Sequence, residues 1–148
     1  MRSVDVNVLV YAFDADSPHH ARARQVLEEC AFSHEPLGLF PPVLTGFLRV
    51  VTDRRILTTP ATPTEARSYL MALLEWPQTR IADAGSRWWD TFASLVAEHE
   101  PRGAEVSDVA LAAMALDHGA TWVSFDRGFA RFRGLAWVNP AESPTQSE

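Results

Sequence analysis

The sequence predicts an α/β domain built on a largely parallel sheet. Short apolar runs recur along the chain, bounded by turn residues, and segments with helical spacing of apolar residues lie between them. Strands separated in this way by helical segments are joined by crossovers and pair in parallel. With 148 residues and 47 % hydrophobic content, the chain suits one domain around a single core.

The first apolar run alternates at Val4, Val6, Val8 and Val10, which fits one long strand or a strand running into a helix. Ser17-Pro18 reads as a helix N-cap followed by Pro at the first helical position, and Ala23, Val26, Leu27 and Cys30 then share one face. Leu37 to Phe40 reads as a short buried strand stopped by Pro41-Pro42, and Val43 to Val51 as an apolar helix weakened by Gly46. A loop over Arg54 to Ala61 leads to Thr62-Pro63-Thr64-Glu65, a capping box with Pro at the first helical position. Ala66, Tyr69, Leu70, Leu73 and Leu74 continue that helix. Trp89, Phe92, Ala93 and Val96 mark another, broken by Pro101-Arg102-Gly103. Ser107 to Asp117 is apolar nearly all round, as a buried helix is, with Gly119 at its C-terminal cap. Thr121 to Phe125 and Leu135 to Val138 complete the strands. Residues 1–139 form the domain, and 140–148 a polar tail.

Several classes are set aside by composition. No apolar run approaches the ~20 residues of a membrane span, and no secretory signal pattern opens the chain. Cys30 is the only cysteine, so an internal disulfide and a cysteine zinc cluster are excluded, and a reducing cytoplasm is the expected setting. The net charge of −6 argues against a nucleic-acid partner, but carboxylates that hold metal lose part of that charge. All 13 basic residues are Arg, a phosphate-binding side chain, although a GC-rich genome explains the same bias.

Three acids stand at the edges of apolar elements. Asp5 interrupts Val4-Asp5-Val6-Asn7-Val8, Asp108 opens the buried helix, and Asp126 follows Trp122-Val123-Ser124-Phe125. Burying an uncompensated carboxylate costs several kcal/mol, so such a residue calls for a cation or a hydrogen-bond network. Taken singly, Asp108 reads as a helix-start acid and Asp126 as a turn residue. Jointly, in a parallel sheet whose ligands bind beyond the carboxyl ends of the strands, they can converge on an oxygen-ligated divalent metal. Glu105, three residues before Asp108, reads as a solvated loop acid within reach of the same metal. The five His lack metal-ligand spacing, and Trp88-Trp89 reads as helix packing rather than a base-stacking pair.

These segments together resemble the PIN-domain nucleases, and specifically the VapC toxins of bacterial toxin–antitoxin modules. The resemblance runs through Val4-Asp5-Val6-Asn7-Val8-Leu9-Val10-Tyr11-Ala12, Gly46-Phe47-Leu48-Arg49-Val50-Val51-Thr52, Ser107-Asp108-Val109-Ala110-Leu111-Ala112 and Thr121-Trp122-Val123-Ser124-Phe125-Asp126-Arg127-Gly128-Phe129. It implies a three-layer α/β/α sandwich with a mostly parallel central sheet of four to five strands. It further implies Mg²⁺- or Mn²⁺-dependent RNA cleavage, a VapB-like antitoxin and a homodimer. Asp5, Asp108 and Asp126 take the places of the family's metal-binding catalytic acids, and Asn7 and Ser124 those of the polar partners that orient them. Arg49, Arg102 and Arg127 are candidate phosphate contacts. One position departs from the pattern: Gly46 stands where the family usually has Glu.

Two rivals bear on that reading. Phosphatases with an aspartyl nucleophile want a second Asp two residues on and a downstream Lys; this chain has Asn7 and no Lys. The other rival is a catalytically impaired PIN fold that binds RNA or a protein without cutting, which Gly46 supports and the three retained acids oppose.

Overall fold

The computed structural model describes residues 1–142. The elements run β1 (Arg2–Val4), α1 (Val6–Phe13), α2 (His20–Ala31), β2 (Leu37–Leu39), α3 (Pro41–Val51), α4 (Pro63–Leu74), β3 (Thr79–Ile81), α5 (Trp88–His99), α6 (Glu105–Asp117), β4 (Thr121–Val123), a 3₁₀ turn (Arg127–Arg131) and β5 (Ala136–Val138). All strand pairings are parallel, and the sheet order is β3-β2-β1-β4-β5. Val4 pairs with Val123 in the central register. The α/β prediction with a parallel sheet therefore holds.

The strand order dictates the layers. From β1 the chain moves outward through β2 to β3, then returns to the other side of β1 as β4. Because parallel crossovers are right-handed, α1 to α4 cover one face of the sheet, and α5 and α6 the other. β1 is thus the point where the strand order reverses. The core follows: Val4, Leu37, Leu39 and Trp122 of the sheet are buried with Val8, Leu9, Phe47 and Val51 on one side and Ala112, Ala113 and Ala115 on the other. Trp122 stacks on Phe40 with ring centroids 5.9 Å apart.

Between the first strand and the first helix there is only Asp5, so the open choice for the opening run resolves to a strand entering a helix. Thr62 caps α4 as expected, its side chain accepting from Glu65 N at 3.2 Å. Gly119 takes φ +59, the left-handed conformation that ends α6. Elsewhere the boundaries move. Helix α2 starts at His20, not at Pro18, because Ser17 spends its hydroxyl on His19 N (3.1 Å) in a local turn. Helix α6 starts two residues before Ser107, and β4 stops at Val123, two residues short of Phe125.

Two features differ more. Strand β3 had no sequence signal: it is a three-residue edge strand with Arg80 and Ile81 exposed, so no apolar run marks it. Helix α5 buries only part of the face expected: Phe92 and Ala93 are half-buried, with Phe92 packed on the core. Leu95 is buried and Trp88 half-buried, whereas Trp89 is 64 % exposed and Val96 also faces outward. The indole of Trp88 decides this by donating to Ala110 O at 3.1 Å, which fixes the helix against α6.

At the C-terminal end Pro140 is buried, and its carbonyl accepts from Arg22 Nε at 2.8 Å. Residues 143–148 of the expected tail lie outside the described residues. Among the described residues no helix is long and apolar enough to cross a membrane.

Candidate active site

The strand-order reversal opens a crevice beyond the carboxyl ends of β1 and β4, where ligands of such sheets bind. Asp5 enters it directly from β1. Its backbone N–H donates to Val123 O at 2.9 Å, and its extended backbone makes it the N-cap of α1. One carboxylate oxygen, Oδ1, accepts from Val6 N at 2.7 Å. The other, Oδ2, accepts from Ser124 Oγ at 2.6 Å and from Asn7 Nδ2 at 3.3 Å.

Ser124 and Asn7 brace the site from its two sides. Asn7 Nδ2 also donates to Ser124 Oγ (3.1 Å), while Asn7 Oδ1 accepts from Phe125 N (3.2 Å). Ser124 Oγ accepts in turn from Asp126 N at 3.0 Å. One turn of α1 is thereby tied to the loop after β4, and Asp126 is held at the rim. There Asp126 is exposed and caps the 3₁₀ turn, accepting from Gly128 N at 2.8 Å. It takes the turn role its spacing suggested, and it lines neither of the two clefts at Asp5.

Asp108 arrives from the first turns of α6 and is half-buried. Its carboxylate lies 3.8 Å from Arg131 Nη2. Arg131 is itself poised over the Phe132 ring at 4.3 Å and donates to Gly128 O. Nothing in the spacing Arg127-Gly128-Phe129-Ala130-Arg131 singles that residue out, because only the 3₁₀ turn swings it back over α6.

Asp5 and Asp108 both feel neighbouring acids. Burial pushes Asp5 up to about 6, against the opposing hydrogen bonds from Ser124 and Val6, and the charges of Asp108 and Asp126 push it the same way. Asp108 is also raised, first by burial and then by Asp126, with Arg131 partly offsetting this. A buried carboxylate raised further by two neighbouring acids is a configuration that a bound cation relieves. Among the described residues no three His, Cys, Asp or Glu side chains close on one point as a finished cage. The donor set nonetheless fits Mg²⁺ or Mn²⁺. Mg²⁺ is bound through one or two carboxylates and keeps several waters.

Two clefts of about 580 Å³ each meet at Asp5, with Val6 in the wall of both. One is lined by Asp5, Gly46, Arg49, Ser107 and Asp108, so Arg49 faces the acids from α3. Arg102 stands exposed on the turn before α6 and lines neither cleft, and Arg127 pairs with Glu142 at 3.4 Å. Glu105, exposed on the first turn of α6, lines neither cleft but contributes to raising Asp108. Gly46 has a physical reason to be Gly: a Cβ there would lie 2.8 Å from Val6 Cγ2. Val6 occupies the space through which a side chain at position 46 would leave the helix.

The fold and crevice define a parallel α/β domain with a buried acid at the strand-order reversal and further acids near it. The chain belongs to the PIN domain family, whose model matches residues 3–135. The ribonuclease VapC43 of Mycobacterium tuberculosis is 48 % identical to it over 145 residues, covering 98 % of this chain and 99 % of that protein. Two solved structures share the fold. VapBC2 from Rickettsia felis, bound to a promoter DNA fragment, has a TM-score of 0.69 at 18 % identity, covering 93 % of this chain and 97 % of that one. A toxin–antitoxin complex from Klebsiella pneumoniae has a TM-score of 0.63 at 17 % identity, with coverage of 95 % and 98 %.

Proposed function

We propose that this protein is a VapC-type toxin, an endoribonuclease that hydrolyses RNA phosphodiester bonds with Mg²⁺ or Mn²⁺ and is held in check by a VapB-like antitoxin. The observation that carries the reading is the carboxylate of Asp5, buried at the strand-order reversal in the fields of Asp108 and Asp126. The full-length similarity to VapC43 supports the RNA substrate, and the toxin–antitoxin complexes among the fold's relatives support the antitoxin. A homodimer and a cytoplasmic setting belong to the same reading.

Asp5, Asp108 and Asp126 would hold the metal, with Glu105 able to join through water. When bound, the ion lowers the pKa of a coordinated water and neutralises phosphate oxygens. The chain supplies the rest. Ser124 and Asn7 fix the Asp5 carboxylate so that no reorganisation is needed when charge develops. Arg49, in the cleft wall with Asp5 and Asp108, and Arg131, beside Asp108, are placed to take the negative charge of the strand. Arg102 and Arg127, outside both clefts, are left with at most a peripheral phosphate contact in this reading.

The test is cleavage of total cellular RNA by antitoxin-free protein in Mg²⁺, Mn²⁺ or EDTA, beside Asp108→Asn. Discrete metal-dependent fragments that the variant does not produce are expected. Folded protein that cuts nothing with either metal would replace this reading with the binding-only one.

A further inference from the structure

The second cleft at Asp5 has a different chemistry from the first. It runs from Asp5 and Asn7 along α1 past Tyr11 to the turn before α2, and Ile56 and Thr58 face it from the loop after α3. No basic residue lines it, and Asp14 and Asp16 stand at its far rim. A phosphate is therefore repelled from this cleft, while Arg49 awaits one in the other. What suits the second cleft is flat, uncharged and adjacent to a phosphate.

Tyr11 is built to meet such a group. Its ring packs against His19 and Phe125 with centroids 5.1 Å away in each case, and those two rings lie 4.9 Å apart. Phe125 is fastened to the site itself, since its N–H donates to Asn7 Oδ1. A ring immobilised in this way surrenders little rotamer freedom on binding. Ile56, in the lining of the same cleft, is 51 % exposed, an apolar side chain left facing solvent. The cavity, about 580 Å³, is in the size range of small-ligand sites.

We infer that this cleft is a nucleobase subsite: it takes one unstacked base beside the scissile phosphate, with Tyr11 and Ile56 as its walls. The inference rests on the ribonuclease reading and deepens it by placing the base: an already unstacked base enters such a cleft without the cost of unstacking one from a duplex. Val6, common to both clefts, divides the base from the phosphate.

The experiment measures binding by anisotropy in Ca²⁺, a hard cation for carboxylate sites, with two probes: a fluorescein-labelled ten-nucleotide RNA and an abasic oligomer of equal length. Tyr11→Ala should weaken the base-bearing oligomer about tenfold and leave the abasic one unchanged, with Tyr11→Phe near wild type. Ile56→Ala, at an exposed position that folding does not depend on, should give a smaller loss with the same selectivity. Equal losses on both probes, or no loss on either, would overturn the subsite and leave the nuclease reading standing. Wild-type protein that binds neither probe would overturn both.

Discussion

Ser124 Oγ donates a 2.6 Å hydrogen bond to Asp5 Oδ2 across the gap between β4 and β1, joining residues 119 positions apart in sequence. That bond closes the site. The same hydroxyl accepts from Asn7 Nδ2 and Asp126 N, so one buried serine sets the aim of two acids and an amide. Without it, Asp5 would keep the desolvation and lose the main interaction that favours its charge.

Ser124→Ala should therefore raise Asp5 above its present position near 6, and the acidic limb of the pH–rate profile should move to higher pH. Leaving the Asn7 and Asp126 donors short of a buried partner should also destabilise the fold by about 1–3 kcal/mol. Urea melts and a pH series of cleavage rates check both halves. An unmoved acidic limb would remove Ser124 from its role.

Asp5→Asn should abolish cleavage yet stabilise the metal-free protein at neutral pH. The sign follows from the direction of the shift. The folded Asp5 titrates near 6 against an ordinary 3.8, so folding favours the protonated form. That contribution is fully present below about 3.8 and is lost as pH rises through 6. Above pH 6 the charged side chain thus costs up to about 3 kcal/mol, which Asn avoids. Melts in EDTA should show the variant ahead at pH 8 and level with wild type at pH 4. The proton also competes with a metal: apparent Mn²⁺ affinity by calorimetry should fall about tenfold per pH unit below 6.

Arg131→Gln should lower the cleavage rate by about tenfold or more while barely moving the melting temperature. The pair with Asp108 is partly exposed and worth about 0–1 kcal/mol to folding, but a fixed guanidinium beside developing negative charge is worth more. Single-turnover rates and thermal melts separate the two. A rate equal to wild type would place Arg131 outside the chemistry.

Gly46→Glu should destabilise the fold by about 1–3 kcal/mol, because the new Cβ meets Val6 Cγ2 at 2.8 Å and must push that half-buried side chain off its rotamer or shift the helix. Combining it with Val6→Ala should recover part of that loss, giving a non-additive cycle in denaturant melts. Additive losses would mean that Val6 is not the obstacle.

Much of this site was legible before folding. Asp5 stood out because a carboxylate in an apolar run needs compensation, and the compensators Asn7 and Ser124 lay in the same two segments. Arg131 and Tyr11 were not legible. Arg131 matters only because the 3₁₀ turn brings it to Asp108, and Tyr11 only because the turn before α2 and the loop after α3 close a cleft along α1. The inward face of α5 was read half correctly, with Phe92 and Ala93 turned in but Trp89 and Val96 turned out, because the hydrogen bond from Trp88 to Ala110 chooses between the two adjacent tryptophans.

The fold class, the capped start of α4 at Thr62 and the oddity of an acid at position 5 can be read from the chain alone, because periodicity, capping and the cost of buried charge act within a few residues. Tertiary structure alone decided the edge strand β3, the pairing of Arg131 with Asp108, the obstruction of position 46 by Val6 and the division of the crevice into two clefts. Each depends on groups far apart in the chain that meet only once the right-handed crossovers place β1 beside β4.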